Sequence, residues 1–220
     1  MPSPEPVATP DAQPVLGQGA VAKVVRVLLA VLTGAALIVA YAPGNYFYFF
    51  TILSNILAVV LLGGQALRPG WMSTNATLRG AVTLYMTITG MVYAVLLAPI
   101  SADVGLIDPW VNFVLHSLGP VAVLIDWLLF PPVQRLGTRT LWVWLVFPAV
   151  YLTVTLIRGP IVDWYPYPFL DPRGDGGYPT VVAYSLAVLL VFVAVGSFLT
   201  WWANQRSEAG WQTPRHDAAA

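Results

Sequence analysis

The stretch VNFVLHSLGPVAVLID, residues 111–126, places one histidine and one aspartate in an otherwise apolar run. Ionisable side chains inside a membrane are costly, and by default they face the interior of the protein and serve a function. Neutral imidazole is the side chain best suited to accept a proton near pH 7. Because a hydroxyl becomes a nucleophile when such a base lies beside it, the first question is which hydroxyl lies within reach of His116.

Thr51 is the candidate hydroxyl, because it lies at a similar predicted depth in another apolar segment. At 1.5 Å per residue, His116 lies about 10 Å from the end of its segment, and Thr51 lies about 8 Å from the corresponding end of its own. The two side chains can meet if their helices are neighbours. We therefore predict that Thr51 and His116 are a catalytic pair. In the structural alternative, the threonine bonds its own helix backbone and the histidine only ties two helices together.

Further polar side chains lie one helical turn from each member of the pair. Asn112 precedes His116 by four residues, and Ser54 and Asn55 follow Thr51 by three and four. We expect these side chains to orient the imidazole or to donate to a developing oxyanion, where one donor contributes about 3 kcal/mol.

Two more residues of the same stretch are predicted to be structural. Pro120 lacks the N–H that would bond the carbonyl four residues back, which predicts a kink and a free carbonyl at His116. Asp126 lies about 15 Å further along the helix, too far to support the histidine. We expect Asp126 to bond water or Arg135, or to cap a second polar pocket.

The composition places these residues in a membrane protein. The chain has 220 residues, of which 58% are hydrophobic and only 9% charged, whereas a soluble domain carries about 25% charged residues. Since about 20 residues cross a bilayer, six segments qualify: 21–41, 46–67, 78–99, 109–130, 140–157 and 180–202. The predicted fold class is all-α, a bundle of six transmembrane helices over residues 20–203. Residues 1–19 are predicted to be a disordered tail and 204–220 a second tail.

The basic residues indicate the orientation. Eight of the ten lysines and arginines fall in the predicted inner tails and loops or near the inner ends of the predicted spans, and only Arg158 and Arg173 fall in the outer loops. The positive-inside rule therefore predicts that both termini are cytoplasmic. The first span also resembles a signal peptide, but Pro43 is expected to obstruct cleavage after its Ala-Tyr-Ala sequence.

The longest outer loop, DWYPYPFLDPRGDGGYP at 163–179, mixes aromatic residues with prolines. Such a loop suits a lid over a site or, equally, anchoring at the lipid headgroups. The residues predicted to line a cavity or to form its lid are Thr87, Tyr93, Arg158, Tyr167 and Asp171.

Several functional classes are excluded or disfavoured by composition. The chain has no cysteine, which excludes disulfides, thiolate catalysis and cysteine metal sites. Its second histidine, His216, lies in the C-terminal tail, so we expect no metal site and no cofactor. A net charge of zero gives no indication of nucleic-acid binding.

Three stretches resemble the androgen-induced membrane protein family. Residues 111–126 resemble its signature of an asparagine, a histidine four residues later, a proline and an acidic residue on one helix. YPFLD at 167–171 resembles its outer loop, and FFTIL at 49–53 resembles its threonine-bearing helix. Together with the six spans, the resemblance covers most of the chain after the N-terminal tail. Where the family has an acidic residue after the threonine, this chain has Ser54 and Asn55.

The resemblance implies a threonine-dependent membrane hydrolase that cleaves fatty-acid esters of hydroxy fatty acids, with Thr51 as nucleophile and His116 as its base. The chain is most similar to bacterial six-span relatives, which implies the bacterial cell membrane. We therefore predict hydrolysis of a lipid ester near the outer leaflet, with membrane lipids as partners. The alternatives are a small-solute or proton carrier using His116 and Asp126, and a non-catalytic lipid-binding or scaffold protein. The sequence indicates no oligomeric state.

Overall fold

The computed structural model describes residues 19–68, 75–100 and 108–209. Every regular element in those ranges is helical, and six helices are long and apolar enough to cross a membrane, which confirms an all-α chain with six potential spans. They are α1 (Ala20–Val39), α2 (Phe50–Leu67), α3 (Ala76–Leu97), α4 (Pro109–Leu129), α5 (Arg139–Val162) and α6 (Gly177–Ala209). The orientation of the bundle stays a prediction.

The predicted tails lie mostly outside the described residues. Only Gly19 of the N-terminal tail is described, and α6 continues to Ala209, past the predicted end of the last span at 202. The tail histidine, His216, lies beyond the described part of the chain.

One end of the bundle carries the connection between α5 and α6, residues 163–176, and we call it the loop end. A short 3-10 helix, Pro168–Leu170, lies within this connection, and a second, Tyr46–Tyr48, precedes α2. The Tyr151 hydroxyl donates to the Tyr48 carbonyl at 2.8 Å. The Arg158 guanidinium lies 3.5 Å from the Tyr48 ring centroid. These contacts fix α5 against the start of α2.

Trp144 occupies the core between α3, α4 and α6. It is fully buried, and its indole N–H donates to the Thr77 carbonyl at 2.7 Å. Tryptophans near the ends of membrane spans commonly lie at the membrane interface. Helix α5 instead turns Trp144 inward, while Trp142 on the adjacent face is 72% exposed.

Pro148 explains how α5 remains continuous beside this core. The proline has no N–H for the carbonyl four residues back, which belongs to Trp144. The Tyr85 hydroxyl of α3 donates to that carbonyl at 2.8 Å, so the released acceptor is satisfied from a neighbouring helix. Pro148 therefore lies inside α5 without ending it, and Pro160 also lies inside this helix.

Replacing Gly80 with alanine is expected to destabilise the protein by about 1–3 kcal/mol, the range for overpacked cores. A Cβ at Gly80 would lie 2.1 Å from Trp144 Cζ2 and 3.0 Å from the Trp127 ring. The matched control is Gly63→Ala in α2, where a Cβ meets no atom within 4 Å. The midpoints of thermal unfolding of the two variants, measured in the same detergent, test this prediction. Equal midpoints would contradict the close packing of Trp144 and Trp127 on Gly80.

Candidate functional site

Thr51 lies in the first turn of α2, where backbone N–H groups have no partner within the helix. Its N–H donates instead to the Tyr167 hydroxyl at 3.3 Å. The Thr51 Oγ1 atom lies 3.5 Å from the same hydroxyl. Both residues are less than 9% exposed. A tyrosine from the α5–α6 connection therefore covers the candidate nucleophile.

Tyr167 is held in place by its neighbours in the connection. It stands between two prolines in the sequence YPYPF and adopts φ −134° and ψ 138°, the extended conformation that a following proline favours. Its ring stacks on Phe169 with centroids 5.3 Å apart and planes 3° from parallel. Burial raises the pKa of the Tyr167 phenol above its ordinary value, so the hydroxyl keeps its proton at neutral pH.

Arg173 closes the connection on its solvent side. Its guanidinium binds the Asp171 carboxylate at 2.6 and 2.8 Å, and it also binds the Asp163 carboxylate. The hydrogen bond from Arg173 holds the pKa of Asp171 below its ordinary value. Asp171, which was predicted to belong to a lid, therefore stabilises the α5–α6 connection on its solvent side by binding Arg173.

A cavity of about 530 Å³ lies beside Thr51, within the range of small-molecule sites. Its walls come from α2, α3, α5, α6 and the 3-10 helix of the connection, and they are almost wholly apolar. Several rim side chains are exposed, among them Trp142, Leu186 and Leu189, so the cavity opens onto the outer surface of the bundle. The hydroxyl groups in its lining belong to Thr51, Thr89, Tyr151, Tyr167 and Ser185.

Ser185 is a cavity residue that sequence reasoning missed. Its hydroxyl oxygen is buried and has no hydrogen-bond partner among the described residues. Buried polar atoms are normally satisfied, but a serine in a long apolar helix gives no sequence signal that separates it from an ordinary packing position.

His116 lies in a second polar cluster. Its ring stacks on Tyr93 with centroids 4.3 Å apart, and its Nδ1 atom lies 3.2 Å from the Asn112 carbonyl. Since a carbonyl only accepts, Nδ1 carries the proton and Nε2 carries the lone pair. The Asn112 side-chain amide in turn donates to the Tyr93 hydroxyl. His116 and Tyr93 each belong to a π-helical turn, Val114–Leu118 and Tyr93–Leu97, a feature frequent at functional sites.

The structure brings the helices of Thr51 and His116 together without joining the two side chains. In the described ranges no hydrogen bond links Thr51 to His116. Asn55 does connect their surroundings, because its side-chain amide donates to the Thr51 carbonyl at 2.9 Å and to the Leu115 carbonyl at 3.0 Å. Thus α2 and α4 are neighbours at the level of both residues.

The π turn explains why Asn55 binds Leu115. The Gly119 N–H bonds the Val114 carbonyl, five residues back. With the same spacing of five residues, the Leu115 carbonyl would accept from residue 120. Residue 120 is a proline and has no N–H, so the Leu115 carbonyl lacks a partner within the helix. We expected the released carbonyl to be that of His116. It lies one residue earlier, because the expectation assumed α-helical spacing.

Most of the other predicted site residues lie outside the cavity. The Ser54 hydroxyl donates to the Phe50 carbonyl at 2.8 Å and lies 2.9 Å from the Thr89 hydroxyl, so it joins α2 to α3. The Thr87 hydroxyl bonds the Thr83 carbonyl of its own helix at 2.8 Å. Of the residues predicted for the cavity or lid, Tyr167 lines this cavity, whereas Thr87, Tyr93, Arg158 and Asp171 do not.

Asp126 lies in an ion cluster away from the loop end. Arg26 of α1 binds one carboxylate oxygen at 2.6 Å, and Arg79 of α3 binds the other at 2.9 Å. These side chains are between 7% and 14% exposed. Arg26 and Arg79, near the inner ends of their spans, thus bind the carboxylate for which we expected Arg135 as the partner.

Comparison with family models, with curated proteins and with solved structures finds no match for the chain. The resemblance to the androgen-induced membrane protein family therefore stays a prediction. No group of three or more metal-ligating side chains occurs within the described ranges.

Proposed function

We propose that the protein hydrolyses an ester of a membrane lipid, with Thr51 as nucleophile and His116 as its base. The observation that supports this proposal is the position of Thr51, which lines an apolar cavity and whose Oγ1 lies 3.5 Å from the hydroxyl of Tyr167, another lining residue. Asn55 ties the same turn of α2 to the segment of α4 that carries His116.

The cavity favours a lipid over a water-soluble substrate. The residues that line it are almost all apolar. Its exposed rim lies on the outer face of the helices, which would contact the acyl chains of the bilayer. An acyl chain can enter sideways from the bilayer and carry its ester to Thr51 near the loop end. The predicted orientation makes this the outer leaflet.

The chemistry follows from the protonation states. Thr51 Oγ1 bonds the acyl carbon and gives its proton to His116 Nε2, which passes it to the departing alcohol as the ester C–O bond breaks. Water then attacks the acyl-threonine, His116 takes the proton of that water, and Thr51 regains a proton as the free acid leaves. Catalytic hydrogen bonds are often long without substrate and tighten in the complex. The step requires such tightening between Thr51 and His116.

Non-catalytic lipid binding is the second candidate, and a specific observation favours it. The group beside Thr51 is a protonated phenol rather than an imidazole. In the carrier alternative, Asp126 would act from an ion cluster in which two arginines engage it.

Purified protein in lipid nanodiscs is expected to release free acid from ester lipids that carry a radiolabelled acyl chain. A lipid-like fluorophosphonate is expected to label the peptide that contains Thr51. Saturable binding of the ester without acid release or labelling would replace hydrolysis with non-catalytic binding. Failure of the ester to bind at all would reject both functions.

A further inference from the structure

We propose that Tyr167 is a further catalytic residue, whose hydroxyl and the Thr51 backbone N–H together hold the carbonyl oxygen of the ester. This inference rests on the proposed hydrolysis and assigns the group that stabilises its negative charge.

The position of the Tyr167 hydroxyl supports this role. Its oxygen accepts the Thr51 N–H at 3.3 Å and lies 3.5 Å from Oγ1, the attacking atom. An acyl carbon within reach of Oγ1 carries its oxygen about one C=O bond away. That oxygen can therefore lie next to both donors, where it replaces the Tyr167 oxygen as acceptor of the Thr51 N–H and accepts a hydrogen bond from the phenol, which keeps its proton. Two donors then face the atom on which negative charge develops.

The rigidity of the α5–α6 connection favours a catalytic role for Tyr167 over a role in which it only covers Thr51. The flanking prolines and the stack on Phe169 fix the ring, and a fixed donor needs no reorganisation during the reaction. The phenol also retains its proton at neutral pH, as a donor must. A phenylalanine would fill the same space and stack equally well, whereas burying a hydroxyl costs free energy unless it is bonded.

Tyr167→Phe is expected to lower kcat about 100-fold or more, the effect of removing one oxyanion donor, with KM changed only a few-fold. The matched control is Tyr165→Phe in the same loop, whose ring packs on Gly159 outside the cavity. The control is expected to retain wild-type kcat. Thermal unfolding of each variant separates loss of folding from loss of chemistry.

A second variant changes the acidity of the Tyr167 hydroxyl without removing any group of the side chain. Fluorinated tyrosine at position 167 retains the ring and hydroxyl while making the phenol more acidic, and kcat is expected to rise with acidity as long as the phenol stays protonated. A wild-type kcat in Tyr167→Phe, or a kcat indifferent to fluorination, would overturn the role of Tyr167 while leaving the hydrolysis in place. Absence of hydrolysis by the wild type would overturn both.

Discussion

Replacing Thr51 with valine is expected to lower ester hydrolysis at least about a thousand-fold, as loss of a nucleophile does in other hydrolases. Valine keeps the β-branched shape and the backbone N–H that contacts Tyr167, so the start of α2 and the cavity wall persist. Lipid binding is therefore expected to remain. Thr51→Ser retains a hydroxyl and is expected to keep measurable activity. Initial rates of acid release from a labelled ester, together with equilibrium binding of that ester, test both variants.

The matched control is Thr87→Val, which makes the same change in α3 at a hydroxyl bonded to its own helix. This control is expected to hydrolyse at the wild-type rate. His116→Gln is expected to lose about as much activity as Thr51→Val, and the double variant little more, because groups that act as a unit are not additive. Wild-type rates in Thr51→Val would exclude the threonine mechanism and favour lipid binding alone.

The six helices could be predicted because the length and polarity of a span are local properties of the sequence. Twenty apolar residues suffice for a crossing, whatever they pack against. The ends were less predictable. Helix α5 runs to Val162, five residues past the predicted end at 157. The sequence does not show that α5 continues through Pro148 and Pro160, since one released carbonyl is satisfied by Tyr85 from α3.

The level of the candidate site along the bundle could be predicted from the sequence, but the contacts between its side chains could not. A rise of 1.5 Å per residue was enough to place Thr51 and His116 at a similar level, and the Asn55 bridge between α2 and α4 agrees with that placement. Local spacing does not reveal that Tyr167, 116 residues further along the chain, reaches the Thr51 N–H. That contact depends on how the α5–α6 connection folds onto the bundle.

Asp126 shows the same limit for charged groups. Its structural role was expected, but the expected partner was the nearest arginine in sequence, Arg135. The observed partners lie 100 and 47 residues away, at Arg26 and Arg79. Basic residues near the ends of spans were counted only as charges that orient the bundle, whereas a carboxylate on a neighbouring helix also allows them to be buried between the helices.

Asp126→Asn is expected to destabilise the protein by about 3–5 kcal/mol, the cost of breaking a buried ion pair by removing one partner. Asparagine has nearly the same size, so the change removes charge rather than volume. Two buried guanidinium groups would then share a site without the carboxylate that binds them both. Denaturant unfolding in detergent micelles measures the loss.

The matched control is Asp163→Asn, because Asp163 also binds an arginine but its side chain is 86% exposed, compared with 14% for Asp126. Solvent screens the exposed pair, so this control is expected to leave the unfolding free energy nearly unchanged. Adding Arg26→Met to Asp126→Asn is expected to recover part of the loss, since it removes the repulsion between the neighbouring guanidinium groups of Arg26 and Arg79. Equal unfolding free energies for Asp126→Asn and Asp163→Asn would show that water reaches the cluster. The hydrolysis rate per folded molecule is expected to stay at the wild-type value in Asp126→Asn, whereas a carrier using Asp126 would lose its transport.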